Sequence, residues 1–234
     1  MIPRPIGILG GMGPEATILF QQKLMSALPD ATGDEHHIPL FIDMNTQVPS
    51  RIAHLITGTG EDPSLVLASM ARRLEGAGAT ALAMPCNTAH HYAGAIQNAV
   101  DIPFLNMIEL SAAYVNKLNE TGPRVGMLAS PAVRLTGLFD KALAPFHKET
   151  LWPSDSDKML DAIQLIKKHG PTETAKTILQ QTSDALAKAG AGVQLIACSE
   201  FSLLGKALQN QPQRCIDTLD ILVAAIIDAV HTDP

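Results

Sequence analysis

Residues 76–90 read GAGATALAMPCNTAH, and this stretch contains a complete strand-and-turn unit. Glycines end a preceding helix, the apolar run 79–84 has the composition of a buried strand, and Cys86 follows among short polar residues. Residues 189–203, AGAGVQLIACSEFSL, repeat this order around Cys198. The two cysteines are 112 residues apart, which indicates that the chain consists of two related halves.

A second pair of segments supports an internal duplication. IGIL at 6–9 resembles VGML at 125–128, and a Gly-Pro pair interrupts the chain just before the second copy. Strand-like and helix-like runs alternate throughout, which is typical of parallel sheets with right-handed helical crossovers. We therefore predict an α/β fold of two pseudo-symmetric parallel-sheet lobes, with the active site in the cleft between them. The predicted lobes are 1–105 plus 218–234, and 106–217.

The individual elements follow from the same patterns of apolar residues, glycines and prolines. The predicted strands are 6–9, 39–44, 79–84, 103–105, 125–129, 149–152, 193–197 and 215–217. The predicted helices are 14–28, 63–76, 89–99, 108–119, 132–143, 157–168, 171–189, 200–208 and 218–230.

Composition excludes several classes of protein. The net charge of −6 and the absence of any Lys/Arg run argue against binding to nucleic acid or to anionic lipid. The apolar stretch near the N-terminus is too short for a signal peptide, and no run reaches the ~18 residues of a membrane span. We therefore expect a cytoplasmic protein. Its sequence contains no CxxC or HExxH pattern, so we expect no metal site.

The positions of two of the three cysteines predict chemistry. Ligands of parallel α/β sheets bind beyond the carboxyl ends of the strands, where Cys86 and Cys198 are predicted to lie. The start of a following helix favours the thiolate, so we expect the pKa of each thiol to be lowered. Two opposed thiols suit racemisation, because one removes a proton from one face of a carbon and the other delivers a proton to the opposite face. No polar cluster follows Cys215, which is expected only to pack.

Three motifs together resemble those of the aspartate/glutamate racemase family. They are GGMGPEAT at 10–17, MPCNTAH at 84–90 and ACSEF at 197–201. The resemblance spans nearly the whole chain and implies racemisation of a free amino acid without pyridoxal phosphate, metal or nucleotide. It further implies that Cys86 and Cys198 are the catalytic acid/base pair and that the protein is a homodimer.

The resemblance also implies the groups that bind the substrate. Gly11 and Met12 are expected to line the pocket, while Asn87, Thr88, Ser199 and Glu200 are expected to hold the α-carboxylate and α-amino groups.

The segment NTQVPSR at 45–51 resembles the one that binds the substrate's side-chain carboxylate, and it supplies Gln47 and Arg51. IQLIK at 163–167 resembles a segment whose lysine assists, which indicates Lys167, with Lys168 as an alternative. Because these residues would neutralise a second carboxylate, we expect an acidic substrate, aspartate or glutamate. His90 is assigned no chemistry and is expected on a helix surface or in packing.

The second cysteine motif departs from the family's usual pattern. Ser199 replaces threonine, Ala197 replaces glycine, and Phe201 with Ser202 replaces Ile-Pro. These positions lie beside Cys198, so they bear on the preference for the substrate side chain. Three alternatives to an acidic amino-acid racemase remain open. They are a related isomerase or racemase acting on hydantoins, maleate or non-acidic amino acids, a small-molecule binding protein with two α/β lobes, and a redox sensor with a reversible disulfide.

Overall fold

The computed structural model describes residues 4–118, 122–208 and 214–231. Within these residues the chain forms eight β-strands and ten α-helices. The strands are β1 (Ile6–Gly10), β2 (Leu40–Met44), β3 (Ala81–Ala83), β4 (Phe104–Leu105), β5 (Arg124–Ala129), β6 (Glu149–Leu151), β7 (Val193–Ala197) and β8 (Cys215–Asp217). The helices are α1 (Pro14–Ser26), α2 (Ser64–Gly76), α3 (Ala93–Gln97), α4 (Met107–Lys117), α5 (Pro131–Thr136), α6 (Leu138–Leu143), α7 (Ser156–His169), α8 (Glu173–Lys188), α9 (Ser199–Ser202) and α10 (Thr218–His231). None of the helices in the described ranges is long and apolar enough to cross a bilayer.

The strands form two four-stranded parallel sheets of the same topology. Their orders are β2-β1-β3-β4 and β6-β5-β7-β8, so each sheet has its first strand inside and its second strand at an edge. The sheets belong to two compact units, Met1–Leu110 with Leu219–Pro234, and Ser111–Thr218. The predicted α/β class with two parallel-sheet lobes is confirmed.

The sheet of the first unit is covered by helices on both faces. Ile6 and Ile8 of β1 point to one face, where they pack with Phe20 of α1 and Leu222 of α10. Leu9 points to the other face and joins a cluster with residues of α2 and α3. Burial on both faces explains why the strands are almost continuously apolar.

The resemblance between the two glycine-containing strands has a structural counterpart. A Cβ placed on Gly7 would lie 2.7 Å from a side-chain carbon of Leu82, and one on Gly126 would lie 2.9 Å from a side-chain carbon of Gln194. Leu82 and Gln194 are 112 residues apart, as are the two cysteines. Each glycine therefore allows close packing of its strand at the same point of the repeat.

The predicted elements lie close to the observed ones, but three predicted helices are wrong in detail. The helix predicted over 132–143 is two short helices, because Gly137 lies between them with a φ of 62°. The helix predicted over 89–99 begins as a 3-10 turn at Thr88–Tyr92. The helix predicted over 200–208 is α9 followed by a 3-10 turn at Gly205–Leu208. The helix predicted over 108–119 spans Met107–Lys117, and residue 119 lies outside the described ranges.

Candidate functional site

Both motif cysteines lie at the carboxyl ends of equivalent strands. Cys86 follows β3 and Cys198 directly follows β7, and β3 and β7 hold the same position in the two sheet orders. Cys86 is 7% exposed and Cys198 is 6% exposed. Ligands of parallel sheets bind at this edge. In each unit the thiol is therefore shielded from bulk water at the position where a substrate is expected.

His90 fixes the backbone of the Cys86 loop. Its Nδ1 lies 2.9 Å from the carbonyl oxygen of Cys86, and its Nε2 lies 3.1 Å from the amide nitrogen of Met107. Because the Met107 amide donates to Nε2, the ring proton is on Nδ1 and is donated to the Cys86 carbonyl. Burial lowers the pKa of His90 to about 4, so the ring is neutral at pH 7. This buried residue therefore joins the Cys86 loop to the start of α4.

The opening motif places its residues beside Cys86. Gly11 has a φ of 87°, and a Cβ there would lie 2.5 Å from the backbone of Asn45, so only glycine fits. The Gly11 amide donates to the Thr17 hydroxyl at 3.1 Å. The next residue, Met12, is buried in the same apolar cluster as Cys86. The structure thus brings the first and second motifs together.

Arg51 is held by backbone carbonyls on the loop after β2. Its Nη1 donates to the carbonyls of Val48 and Pro49, at 3.1 and 2.8 Å. Its Nε and Nη2 have no hydrogen-bond partner among the described residues. Val48 packs in the cluster that contains Cys86, so the guanidinium is anchored close to this site with one edge available to a ligand. Gln47 is exposed, and its side chain donates to the Thr46 hydroxyl.

A histidine–tyrosine pair links the Arg51 segment to the Cys86 loop, and the sequence interpretation missed it. Nδ1 of His54 lies 2.7 Å from the hydroxyl of Tyr92. His54 is in the unforeseen π-helical turn Ala53–Thr57, three residues after Arg51. Tyr92 ends the 3-10 turn that follows Cys86 and is 4% exposed. No local sequence pattern predicts this pair, because it depends on tertiary packing.

In the second unit, Cys198 belongs to a chain of three polar side chains. Its Sγ donates to Oε2 of Glu200 at 3.0 Å, and the other carboxylate oxygen of Glu200 forms an ion pair with Nζ of Lys167. Glu200 is nearly buried and Lys167 is about half exposed. The predicted residues Lys167 and Glu200 thus contact each other. Lys168, the alternative to Lys167, is not one of these three interacting side chains.

The expectation of a lowered thiol pKa is wrong for Cys198. Burial raises the pKa of Cys198 well above its ordinary value, and the negative charge of Glu200 and its hydrogen bond raise it further. The four-residue helix α9 is too short to oppose these effects. Burial acts to raise the pKa of Glu200, but the positive charge of Lys167 and the hydrogen bonds that the carboxylate accepts together outweigh it, so that pKa is lowered. At neutral pH the arrangement is a protonated thiol on an ionised carboxylate.

The residues after each cysteine are small and polar. Asn87 is 2% exposed, Thr88 is half-buried, and Ser199 is 3% exposed. Asn87 and Ser199 each follow a motif cysteine directly, so the two units present similar groups at the same strand end.

Cys215 lies at the opposite edge of the second sheet. It is the first residue of β8 and pairs with Gln194, near the amino end of β7. Its Sγ lies 3.6 Å from the Ser183 hydroxyl. Burial raises the pKa of Cys215. Its position separates it from the carboxyl ends of the strands. In the part of the chain that the structure describes, no three His, Cys, Asp or Glu side chains are grouped to hold a metal ion.

Comparison with known proteins identifies the family. A sequence model of the Asp/Glu/Hydantoin racemase family matches residues 9–226. The chain is 22% identical over 211 residues to the broad specificity amino-acid racemase RacX of Bacillus subtilis (strain 168), covering 88% of this chain and 89% of that protein. Picrophilus torridus aspartate racemase has a similar structure, with a TM-score of 0.85 and 28% identity, covering 97% and 94% of the two chains. Glutamate racemase from Francisella tularensis subsp. tularensis SCHU S4 shares the fold, with a TM-score of 0.67 and 18% identity over 98% and 81%. The chain therefore belongs to the Asp/Glu/hydantoin racemase family and is an enzyme of the racemase class.

Proposed function

We propose that the protein is a cofactor-independent racemase that interconverts the L and D enantiomers of an acidic amino acid, aspartate or glutamate. The observation that carries the proposal is the pair of buried thiols at the same strand end of two equivalent sheets, Cys86 after β3 and Cys198 after β7. The relatives described as a broad specificity amino-acid racemase and an aspartate racemase support a free amino acid as the substrate.

The proposed reaction is a proton exchange at the α-carbon. The thiolate of one cysteine accepts the α-proton, and the thiol of the other donates a proton to the opposite face, so the configuration inverts. The roles are exchanged in the reverse direction. Cys198 is the donor in the resting enzyme, because its Sγ–H is held on the carboxylate of Glu200 at 3.0 Å. The charge that develops on the substrate requires fixed donors, which the amides and small polar residues of the strand ends supply.

The substrate-binding groups proposed for each unit follow from their positions. Asn87, Thr88 and Ser199 border the two thiols and suit the α-carboxylate and α-amino groups. Arg51 suits a side-chain carboxylate, because Nε and Nη2 form one edge of its planar fork. The remaining proposed residues line the pocket or support its charged groups; they are Gly11, Met12, Gln47, Lys167 and Glu200.

A second candidate is racemisation of non-acidic amino acids, which the likeness to the broad specificity racemase favours. The two candidates share the thiol chemistry and differ only in the substrate side chain. Assays that include aspartate, glutamate, asparagine, glutamine and alanine separate them.

The proposed function is tested by following the α-proton signal of L- and D-amino acids by ¹H NMR in ²H₂O. Wild type is expected to remove this signal, and Cys86→Ser and Cys198→Ser are each expected to slow its loss by at least about 100-fold. Cys215→Ser is the matched control and is expected to keep wild-type exchange, because this thiol lies at the other edge of the sheet. Exchange that persists in both serine variants, or no exchange by wild type with any of these amino acids, would contradict the proposal.

We also propose that the enzyme is a homodimer and acts in the cytoplasm. Light scattering coupled to size-exclusion chromatography tests the first statement, with a mass of twice 24.9 kDa as the expected result.

A further inference from the structure

Asp217 is a buried acidic residue of the second unit that the proposed reaction does not use. It is the last residue of β8 and pairs with Ile196 of β7, two residues before Cys198. Its Oδ1 accepts a hydrogen bond from the hydroxyl of Ser202 at 2.8 Å, and Ser202 is also buried. Buried polar groups are fixed by such hydrogen bonds, so the contact holds both side chains in place.

Ser202 ends α9, the single helical turn that begins directly after Cys198. The backbone amides of Phe201 and Ser202 donate to the carbonyl of Cys198, at 2.9 and 3.2 Å. The Ser202 hydroxyl lies 3.5 Å from this carbonyl, so its one proton is donated to the nearer oxygen of Asp217. Glu200, whose carboxylate accepts the hydrogen bond of the Cys198 thiol, belongs to the same turn. Anchoring the turn at Ser202 therefore anchors both the thiol and the carboxylate that holds it.

A second hydroxyl fixes the strand end on the other side of the cysteine. Thr218, the first residue of α10, donates its hydroxyl to the carbonyl of Ile196 at 3.0 Å. This carbonyl lies two residues before Cys198. The junction of β8 with α10 thus holds the chain both before and after the cysteine.

The first unit holds its cysteine at the equivalent position with different chemistry. Ser202 follows His90 by 112 residues, the separation of the two cysteines. The His90 ring bonds to the carbonyl of Cys86 and to the amide of Met107, where α4 begins. In each unit, the residue four positions after the cysteine therefore ties the cysteine turn to the junction that follows the fourth strand.

The hydroxyl at position 202 is a departure from the family's usual second cysteine motif, in which this position is proline. Proline has no amide proton and no side-chain donor, so it could not make this hydrogen bond. We propose that Ser202 and Asp217 are positioning residues for Cys198, which hold its turn so that the thiol is aimed at the α-carbon. The inference rests on the proposed racemase function. Both residues act through the turn and not by contact with the substrate.

The test measures how far the proton transfer at each thiol limits the rate. We compare α-deuterated with protiated L and D enantiomers, using whichever of aspartate, glutamate, asparagine, glutamine and alanine wild type racemises fastest. The proteins are wild type, Ser202→Ala and Asp217→Asn. A misplaced Cys198 slows only the proton transfer at that thiol. The isotope effect on kcat/KM is therefore expected to rise for the enantiomer that Cys198 deprotonates and to fall for the other.

The rates themselves report the hydrogen bond. Ser202→Ala is expected to lower kcat roughly 10- to 100-fold and to change KM less than about threefold, because a reacting group is displaced. Asp217→Asn keeps an oxygen that can accept from Ser202, so it is expected to lose less, and it carries the isotope comparison if Ser202→Ala does not fold. The double variant is expected to lose no more than Ser202→Ala alone, because both substitutions act on one hydrogen bond.

Asp140→Asn is the matched control, because Asp140 accepts from the hydroxyl of Thr150 in another such pair of the same unit, on the exposed surface. It is expected to leave both isotope effects at their wild-type values. His90→Gln loosens the Cys86 turn and is expected to shift the two isotope effects in the opposite sense.

Isotope effects that change equally for both enantiomers, or that stay at wild-type values in Ser202→Ala and Asp217→Asn, would overturn the inference while leaving the racemase function in place. Absence of racemisation and of α-proton exchange in wild type would overturn both.

Discussion

At the scale of single residues, the carboxylate of Glu200 controls the thiol beside it. Replacing Glu200 by Gln removes the charge that raises the pKa of Cys198 but keeps the size of the side chain. The pKa of Cys198 should therefore fall, and the midpoint of its alkylation by iodoacetamide should move to lower pH. Peptide mass spectrometry over a pH series measures this midpoint. Racemisation should slow roughly 10- to 100-fold, because the thiol is no longer held as the proton donor.

The control for this substitution is Glu173→Gln, which removes a carboxylate that pairs with Lys176 on the surface of α8. In this control variant, the pH midpoint for alkylation of Cys198 should match that of wild type. A midpoint for Glu200→Gln that stays in place or moves to higher pH would show that Glu200 does not act on the thiol.

A second residue-scale prediction concerns the opening motif. Gly11→Ala should lower the free energy of unfolding by roughly 2–4 kcal/mol, because its φ is 87° and the added Cβ would lie 2.5 Å from the Asn45 backbone. Urea denaturation measures the change. Gly76→Ala is the control, since no atom lies within 4 Å of its Cβ at the end of α2, and it should stabilise the protein by less than about 1 kcal/mol. Equal effects of the two substitutions would rule out this explanation of the motif.

At the scale of elements, His90 connects the Cys86 loop to α4 and makes that connection sensitive to acid. Its folded-state pKa of about 4 lies below the ordinary 6.5, so the unfolded chain takes up a proton more readily. The stability that the neutral ring provides is complete above pH 6.5 and falls as the pH drops towards 4. The expected loss from this residue is about 3 kcal/mol by pH 4.

Denaturant unfolding at pH 7, 6, 5 and 4 tests the role of His90. In His90→Gln the amide does not titrate, so the free energy of unfolding should decline less between pH 6.5 and 4 than in wild type. His169→Gln, at the exposed end of α7, should retain the wild-type decline. A His90→Gln variant with the full wild-type pH dependence would show that the ring is not held neutral.

The sequence predicted the strand ends well and the short turns poorly. Strands β1, β3, β5 and β7 each have a glycine, proline or polar residue within two residues of both ends, so their ends, and hence the positions of Cys86 and Cys198, follow from local pattern. The break at Gly137 was missed although a glycine inside a helical run is a local signal for such a break. The turns after Asn87 and Ile52 were missed because no local pattern marks them. The same reason applies to the burial of His90.

At the scale of the whole molecule, the chain contains two copies of the same arrangement of strands. Each sheet has the same strand order, the same close-packed glycine in its first strand and a cysteine after its third. Two pairs of similar segments, residues 6–9 with 125–128 and the segments around Cys86 and Cys198, together predicted this duplication. The ion pair between Lys167 and Glu200 was not predictable, since it has no local sequence signal. The two halves therefore share a scaffold and differ in the groups that act on the thiol.

The central claim is that two thiols act on opposite faces of one carbon, and early-time isotope incorporation tests it most directly. The enzyme is incubated in ²H₂O with a pure L-amino acid, and the reaction is stopped at less than about 5% conversion. The two enantiomers are separated, and the deuterium content of each is measured by mass spectrometry. Two-thiol catalysis predicts that the newly formed D enantiomer carries deuterium at Cα while the remaining L enantiomer keeps its protium. A D product that retains the original protium, or deuterium that enters both enantiomers equally from the start, would contradict it.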